Sequence, residues 1–219
     1  MTLSLAVPIH DRQVKAACEL HSKLIQWHTT DKALEALKRA FPDWSLSSSL
    51  LKIAAINQLY GTNLYAVGRM ASHVEQVLGA TPPSTRVELA VVDRIAALPK
   101  APEQKRTWTH LSFASKLCHF FIDGERFPIY DSHAVRVLST HVGKRIGRDA
   151  GNRYADFTEP FFHALSTIGC RPRELDRYLW LRGSFEAWRK SPEKAPVNVE
   201  LKGLFGDQRF ETLLRELSS

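Results

Sequence analysis

The spacing of the apolar residues is the feature that most limits how this chain can fold. In almost every segment, apolar side chains recur three and four positions apart, as at Val14, Ala17, Leu20 and Leu24. This spacing places them on one face of an α-helix. No run alternates apolar and polar residues for long enough to predict a β-strand. We therefore expect an all-α fold of about nine or ten helices.

The length and charge of the chain narrow the class of protein further. A chain of 219 residues can form one compact domain or two small subdomains. The formal net charge of +7 is typical of proteins with an anionic partner such as nucleic acid, although it also serves ordinary solubility. No apolar run reaches the roughly 18 residues that a membrane-spanning helix needs, and the first residues do not resemble a signal peptide.

The cysteines indicate an intracellular protein without a metal centre. Cys18, Cys118 and Cys170 are far apart in the sequence and fit neither a disulfide framework nor the spacing of a metal site. Buried, reduced thiols are the simpler interpretation. We therefore expect a monomeric cytoplasmic protein that has no membrane segment and needs no cofactor.

The stretch "SFASKLCHFFIDGERFPIYDSHAVRVL", residues 112–138, carries the most specific chemistry. It predicts one helix that contains Lys116, a break, and a second helix that starts at Asp131. One interpretation is a lysine that snorkels along the core edge and an aspartate that caps a helix. The other is a catalytic pair. A lysine attacks only when neutral, desolvation lowers its pKa, and a carboxylate at a helix N-terminus stays ionised.

The runs "FASK" at 113–116 and "FPIYDSHAVRVL" at 127–138 resemble the core of the helix-hairpin-helix (HhH-GPD) DNA glycosylases, in particular the 8-oxoguanine DNA glycosylase/AP lyase branches. In that superfamily a lysine on one helix is followed by an aspartate at the entry to the next helix, often with a histidine two residues later. Lys116, Asp131 and His133 match these positions in order. The resemblance implies that Lys116 and Asp131 are the catalytic residues.

The resemblance also implies an architecture and further site residues. It predicts two helical subdomains that flank a cleft, one formed by residues 47–140 and the other by residues 1–46 together with 141–219. A helix that ends in an Asn/Gln cluster is similar to the family element that fills the gap left by an extruded base, and the late helix "LDRYLWLRG" is similar to one near the base pocket. The resulting candidates for binding DNA or the base are His133, Asn57, Gln58, Tyr60, Phe120, Asp176, Trp180, Ser112, Ser115, Arg145 and Arg148.

The function implied by this resemblance is that of a DNA glycosylase with AP lyase activity. Its partner would be double-stranded DNA with a damaged or modified base. It would act at the nucleoid of a bacterial-type cell, either in base excision repair or in defence against foreign DNA. Two alternatives stay open. The stretch "THLSFASK" lacks the glycines of the family hairpin, which favours a catalytically silent nucleic-acid-binding module. In a monofunctional glycosylase, Asp131 would activate water and Lys116 would be incidental.

Overall fold

The computed structural model describes residues 5–80, 87–102, 109–147 and 153–219, and every regular element in these ranges is helical. The all-α prediction is therefore confirmed. The described residues form one short 3-10 helix (Gln208–Phe210) and eleven α-helices: α1 (Asp11–His21), α2 (Ile25–Ala40), α3 (Leu46–Tyr60), α4 (Val67–Leu78), α5 (Val91–Ala96), α6 (Leu111–Phe121), α7 (Ser132–Val142), α8 (Tyr154–Ile168), α9 (Pro172–Lys190), α10 (Val199–Gly206) and α11 (Glu211–Ser218).

The chain divides into two compact units. The terminal unit comprises Met1–Thr29 and Asp131–Ser219, and the central unit comprises Thr30–Tyr130. The resemblance predicts these boundaries at residues 47 and 140. In the structure, the first boundary falls between Thr29 and Thr30, inside α2, where no loop, glycine or proline marks it. The second falls between Tyr130 and Asp131, directly before α7.

Helix α9 forms the centre of the terminal unit. It packs against α1 and α7, and α1 also packs against α11. A chain of buried hydrogen bonds joins α7, α9 and the segment that precedes α1. His141 Nδ1 lies 2.9 Å from the carbonyl oxygen of Val7, and its Nε2 lies 2.9 Å from the hydroxyl oxygen of Tyr178. That oxygen accepts a 2.6 Å hydrogen bond from Arg182. Because a carbonyl oxygen only accepts, Nδ1 carries the hydrogen and Nε2 accepts from Tyr178.

Gly183 lies at the closest approach of α7 and α9. The glycine suggested that the helix ends there, and this expectation was wrong, because α9 continues to Lys190. A Cβ atom on Gly183 would lie 2.7 Å from the Cβ atom of His133 and 2.8 Å from its carbonyl oxygen. Only glycine fits at that distance, so the residue serves helix packing and not helix termination.

We expect Gly183→Ala to lower the free energy of unfolding by about 1–3 kcal/mol, the usual cost of overpacking. The loss should occur even though alanine is the better helix former. Gly203→Ala is the matched control, since Gly203 also lies within a helix but has open space around its Cα. Urea unfolding compares the two variants. Equal effects on the midpoint would contradict a role for Gly183 in packing.

In the central unit, α3 and α4 form a helical hairpin, and α6 packs against both α3 and α5. The start of α3 is held by α4, because the Leu46 amide donates to Glu75 Oε1 at 2.8 Å. The single charged residue of α3, Lys52, points inward and is only 1% exposed. Its ammonium donates to the carbonyl oxygen of Asp43 and lies 3.9 Å from the centroid of the Trp44 ring.

Candidate functional site

Helix α6 buries the amine of Lys116. The residue is 6% exposed, and its Nζ donates a 2.8 Å hydrogen bond to the hydroxyl oxygen of Ser112, one helical turn earlier. Residues four apart share one helix face, so this contact follows from the helical conformation itself. Ser112, which the resemblance assigns to DNA binding, thus contacts the lysine directly, and its contact with DNA stays a prediction.

Ser115 connects α6 to the segment that leads into α7. Its side chain is completely buried. The hydroxyl oxygen accepts a 3.0 Å hydrogen bond from the Tyr130 amide, and the hydroxyl donates to the Ser112 carbonyl oxygen at 3.2 Å. Tyr130 is the last residue of the central unit and directly precedes Asp131 in the chain. The hydroxyl thus has one internal donor and one internal acceptor as partners, and its expected phosphate contact stays a prediction.

In the terminal unit, Asp131 is the N-cap of α7. Its backbone is extended (φ −135°, ψ 164°), and its Oδ1 accepts a 2.8 Å hydrogen bond from the Ala134 amide. The prediction that Asp131 caps a helix is confirmed, and it holds whether or not the carboxylate also has a catalytic role. Its catalytic role stays a prediction.

The other terminal-unit candidates lie on α7 and α9. His133 is half-buried on α7, where it faces Gly183, and its Nδ1 lies 3.4 Å from a guanidinium nitrogen of Arg136. Asp176 is buried and Trp180 is half-buried, one turn apart on α9. These positions agree with the expected spacing of Asp176 and Trp180, but contact with a base stays untested.

Trp180 belongs to an aromatic cluster that the sequence analysis missed. Its ring lies edge-on to Trp27, with centroids 4.7 Å apart, and 6.2 Å from the ring of His21. His21 also meets His28 edge-on at 5.1 Å. Burial, followed by the charges of Arg177 and His28, lowers the pKa of His21 to about 3. This His21–Trp180 cluster joins the neighbouring helices α1 and α2 to α9, which lies too far along the sequence for local patterns to connect it to them.

The depressed pKa of His21 predicts a loss of stability in acid. The unfolded chain takes up a proton near pH 6.5, whereas the native imidazole resists protonation until about pH 3. The contribution of His21 is therefore complete above about pH 6.5 and falls as the pH drops towards 3. Burial also lowers the pKa of His141, which acts in the same direction. We expect His21→Phe, which keeps an apolar ring, to flatten the pH dependence of the unfolding free energy in this window. An unchanged slope would contradict this assignment.

Asn57 braces the loop between α3 and α4. Its Oδ1 accepts hydrogen bonds from the Leu64 amide at 2.8 Å and the Thr62 hydroxyl at 2.9 Å. Its Nδ2 donates to the Leu64 carbonyl oxygen at 3.1 Å. The side-chain amide is thus engaged within the protein and would have to release the loop before filling a gap in DNA. Gln58, the next residue, is exposed.

The remaining candidates have separate positions. Tyr60 packs beside Phe120, with ring centroids 5.0 Å apart, and its hydroxyl donates to Asp31 Oδ1 at 3.1 Å. Arg145 is exposed in the loop after α7. Arg148 lies outside the described residues.

Lys52 is a second buried lysine of the central unit that the sequence analysis did not single out. Burial is the main cause that lowers its pKa to about 8, with Lys38 acting in the same direction and Asp43 against it. Its ammonium is surrounded by a carbonyl oxygen and aromatic rings, and it contacts Trp44 and Phe121. A packing role accounts for these contacts, so Lys52 provides an internal comparison for Lys116.

The described residues include neither a cluster suited to a metal ion nor a helix suited to a membrane. Within those ranges, no group of three or more His, Cys, Asp or Glu side chains could hold a metal ion. None of the described helices has the length and apolar character that crossing a membrane requires.

The fold and these side chains define an all-helical protein of two units, in which the central unit carries a buried lysine on α6 and the terminal unit a carboxylate that caps α7. Residues 13–125 match the sequence model of the HI_0787_N family, described as an N-terminal domain. The match covers more than half of the chain, and the chain belongs to this family. It includes Lys116 and ends before Asp131. Neither the curated proteins nor the solved structures include a match to this chain.

Proposed function

We propose that this protein is a DNA glycosylase with AP lyase activity, which excises a damaged or modified base through a covalent intermediate on Lys116. The observation that carries the proposal is the environment of this lysine. Its amine is buried and donates a hydrogen bond to Ser112. On the same helix, Ser115 accepts a hydrogen bond from the amide of Tyr130, the residue before Asp131. Nucleophilic lysines occupy desolvated surroundings of this kind.

The proposed reaction begins with a nucleotide that is flipped out of the duplex. The neutral Nζ of Lys116 attacks the sugar C1′. The new carbon–nitrogen bond forms as the glycosidic bond breaks, and the bonding electron pair leaves with the base, which takes up a proton. The amine loses one proton, and its electron pair then forms the carbon–nitrogen double bond of a protonated Schiff base as the C1′–O4′ bond breaks and O4′ takes up a proton. In the β-elimination, C2′ loses a proton, its electron pair forms a C2′–C3′ double bond, and the bond to the 3′ oxygen breaks, which cuts the strand.

The chain's own residues have distinct roles in this scheme. Ser112 accepts a hydrogen bond from Nζ and thereby orients the amine. Asp131 supplies the negative charge that stabilises positive charge developing on the sugar. Lys116 belongs to the central unit and Asp131 to the terminal unit.

The charge of the chain supports a nucleic-acid partner. Lys and Arg number 30 against 23 Asp and Glu, and Lys144 and Arg145 are exposed together after α7. Phosphate contacts of this type give binding that depends on salt but not on sequence. In this proposal, the overall basic charge attracts the protein to DNA, and Lys116 carries out the chemistry.

A nucleic-acid-binding module without catalysis is the second candidate, favoured by the start of α6. In the glycosylases that this chain resembles, glycines of the hairpin let backbone amides approach a phosphate closely. Here the corresponding stretch, "THLSFASK", contains no glycine, and α6 follows an N-cap, His110, whose side chain forms no capping hydrogen bond. Such a module would bind DNA without changing it.

Base release and borohydride trapping on the same set of duplexes, each with a different modified base, separate these functions. A bifunctional enzyme releases the base, cuts the strand and forms a covalent adduct when the Schiff base is reduced. A monofunctional enzyme releases the base alone, and the binding module does none of these. Failure of all three reactions on every duplex that binds would overturn the proposal.

A further inference from the structure

We propose that the loop between α3 and α4, residues 61–66, presents Tyr65 as a stacking contact for an unpaired nucleobase. The inference rests on the proposed function in one respect, namely that nucleic acid is the ligand. It assigns a role to a residue that neither the sequence motifs nor the proposed chemistry uses.

Tyr65 is displayed by an anchored loop. Its side chain is 95% exposed, whereas the preceding residue, Leu64, is only 2% exposed. Adjacent side chains thus serve opposite purposes, because one fixes the loop in the core and the other extends into solvent. A phenol ring so fully exposed is accessible on both faces to a ligand that could stack on it.

The loop is braced from within. The side chain of Asn57 forms three hydrogen bonds across it, two of them to the backbone of Leu64. Two residues adopt the left-handed backbone conformation, Gly61 at φ +55° and Asn63 at φ +54°. Glycine and asparagine are the residues that tolerate this region best. A loop that is already fixed loses little conformational entropy when its tip binds a ligand.

The surrounding sequence carries no acidic residue. From Trp44 to Val74, which spans α3, the loop and most of α4, there is no Asp or Glu. The two carboxylates that flank this stretch both accept hydrogen bonds near the start of α3. Asp43 accepts from the Ser45 amide, and Glu75 accepts from the Leu46 amide. Near the end of α3, the Asp31 carboxylate accepts from the Tyr60 hydroxyl. Residues 44–74 themselves therefore add no negative charge that would repel a polyanion.

The size of the exposed feature favours a base over a protein partner. A specific protein interface buries about 800 Å² on each partner. One aromatic side chain buries about 150–250 Å², which suits the face of a single base. Stacking on an aromatic ring does not depend on base identity, because every base has a π-face. It does require that the base be unpaired and accessible.

Fluorescence anisotropy with three labelled oligonucleotides tests the proposal: single-stranded DNA, a duplex with one unpaired base, and a fully paired duplex. We expect Tyr65→Ala to weaken binding to the first two by about tenfold, which is within the range for loss of one base–aromatic stack. Binding to the paired duplex should be unchanged. Tyr65→Phe keeps the ring and should bind like the wild type. Val199→Ala is the matched control, because Val199 is 84% exposed in the terminal unit.

The outcomes distinguish this inference from the proposed function. Wild-type affinity in Tyr65→Ala overturns the stacking contact, even if the enzyme releases bases normally. A loss shared by Tyr65→Phe, or one equally large on the paired duplex, also overturns it. If Tyr65→Ala shows the expected loss but no duplex yields base release or trapping, the stacking contact stands and the glycosylase proposal fails. Wild-type protein that binds none of these oligonucleotides contradicts the contact directly.

Discussion

Lys116→Gln is expected to abolish strand cleavage and borohydride trapping while the protein stays folded. An amide nitrogen cannot form a Schiff base, so the covalent pathway is closed. Glutamine is nearly as long as lysine and can still hydrogen-bond to Ser112, which limits the effect on α6. Gel assays of strand cleavage and adduct formation measure the loss, and a thermal melt measures folding.

Lys52→Met is the matched control for this variant. Lys52 is also a buried lysine of the central unit, with a pKa lowered to about 8, so it is an amine that could compete with Lys116. Its ammonium contacts a carbonyl oxygen and two aromatic rings, and we expect trapping to survive its removal. If Lys116→Gln still releases the base without cutting the strand, the mechanism that uses activated water is correct. Wild-type behaviour of Lys116→Gln in every assay would exclude a nucleophilic role.

Asp131→Asn is expected to lower activity by about a hundred- to a thousandfold, the usual effect of removing one charge-stabilising group from a reaction centre. The melting temperature should hardly change, because Asn caps helices about as well as Asp. This chain already uses asparagine in that way, since Asn198 Oδ1 accepts from the Leu201 amide at 2.9 Å at the start of α10. Single-turnover base release and a thermal melt on the same samples separate the effect of the lost charge on activity from any effect of the helix cap on stability.

Two further variants complete this comparison. Asp131→Ala removes the cap as well as the charge and should lose about 1 kcal/mol of stability in addition to activity. Asn198→Asp adds a charge to an equivalent cap in the terminal unit and should leave activity unchanged. Full activity in Asp131→Asn would reduce Asp131 to a helix cap.

The helical content was predictable because periodic apolar residues are a local signal, whereas some helix ends were not. The apolar spacing from Val14 to Leu24 runs on without a break, but α1 ends at His21 and α2 begins at Ile25. The start of α2 is stabilised by Glu200, whose Oε1 accepts from the Gln26 amide at 2.9 Å. A cap supplied from so distant a part of the chain leaves no trace in the local sequence.

The candidate site shows the same division between local and distant information. The inward position of Lys116 and the cap at Asp131 follow from the spacing within one stretch, and both are present. The internal roles of Ser115 and Asn57 depend on which backbone amides fold back onto them. The aromatic partners of Trp180 come from α1 and α2, outside the segment that carries the resemblance. Sequence patterns therefore identified chemically capable residues without identifying their contacts.

Peptide mapping of the borohydride-trapped adduct tests the central claim most directly. The protein is incubated with a duplex from which it releases a base, the mixture is reduced, and the modified peptide is identified by mass spectrometry. We predict a single adduct on Lys116, in the peptide that also contains Ser112 and Ser115. An adduct on Lys52 or another amine, or base release with no adduct at all, would contradict the assignment of Lys116 as the nucleophile.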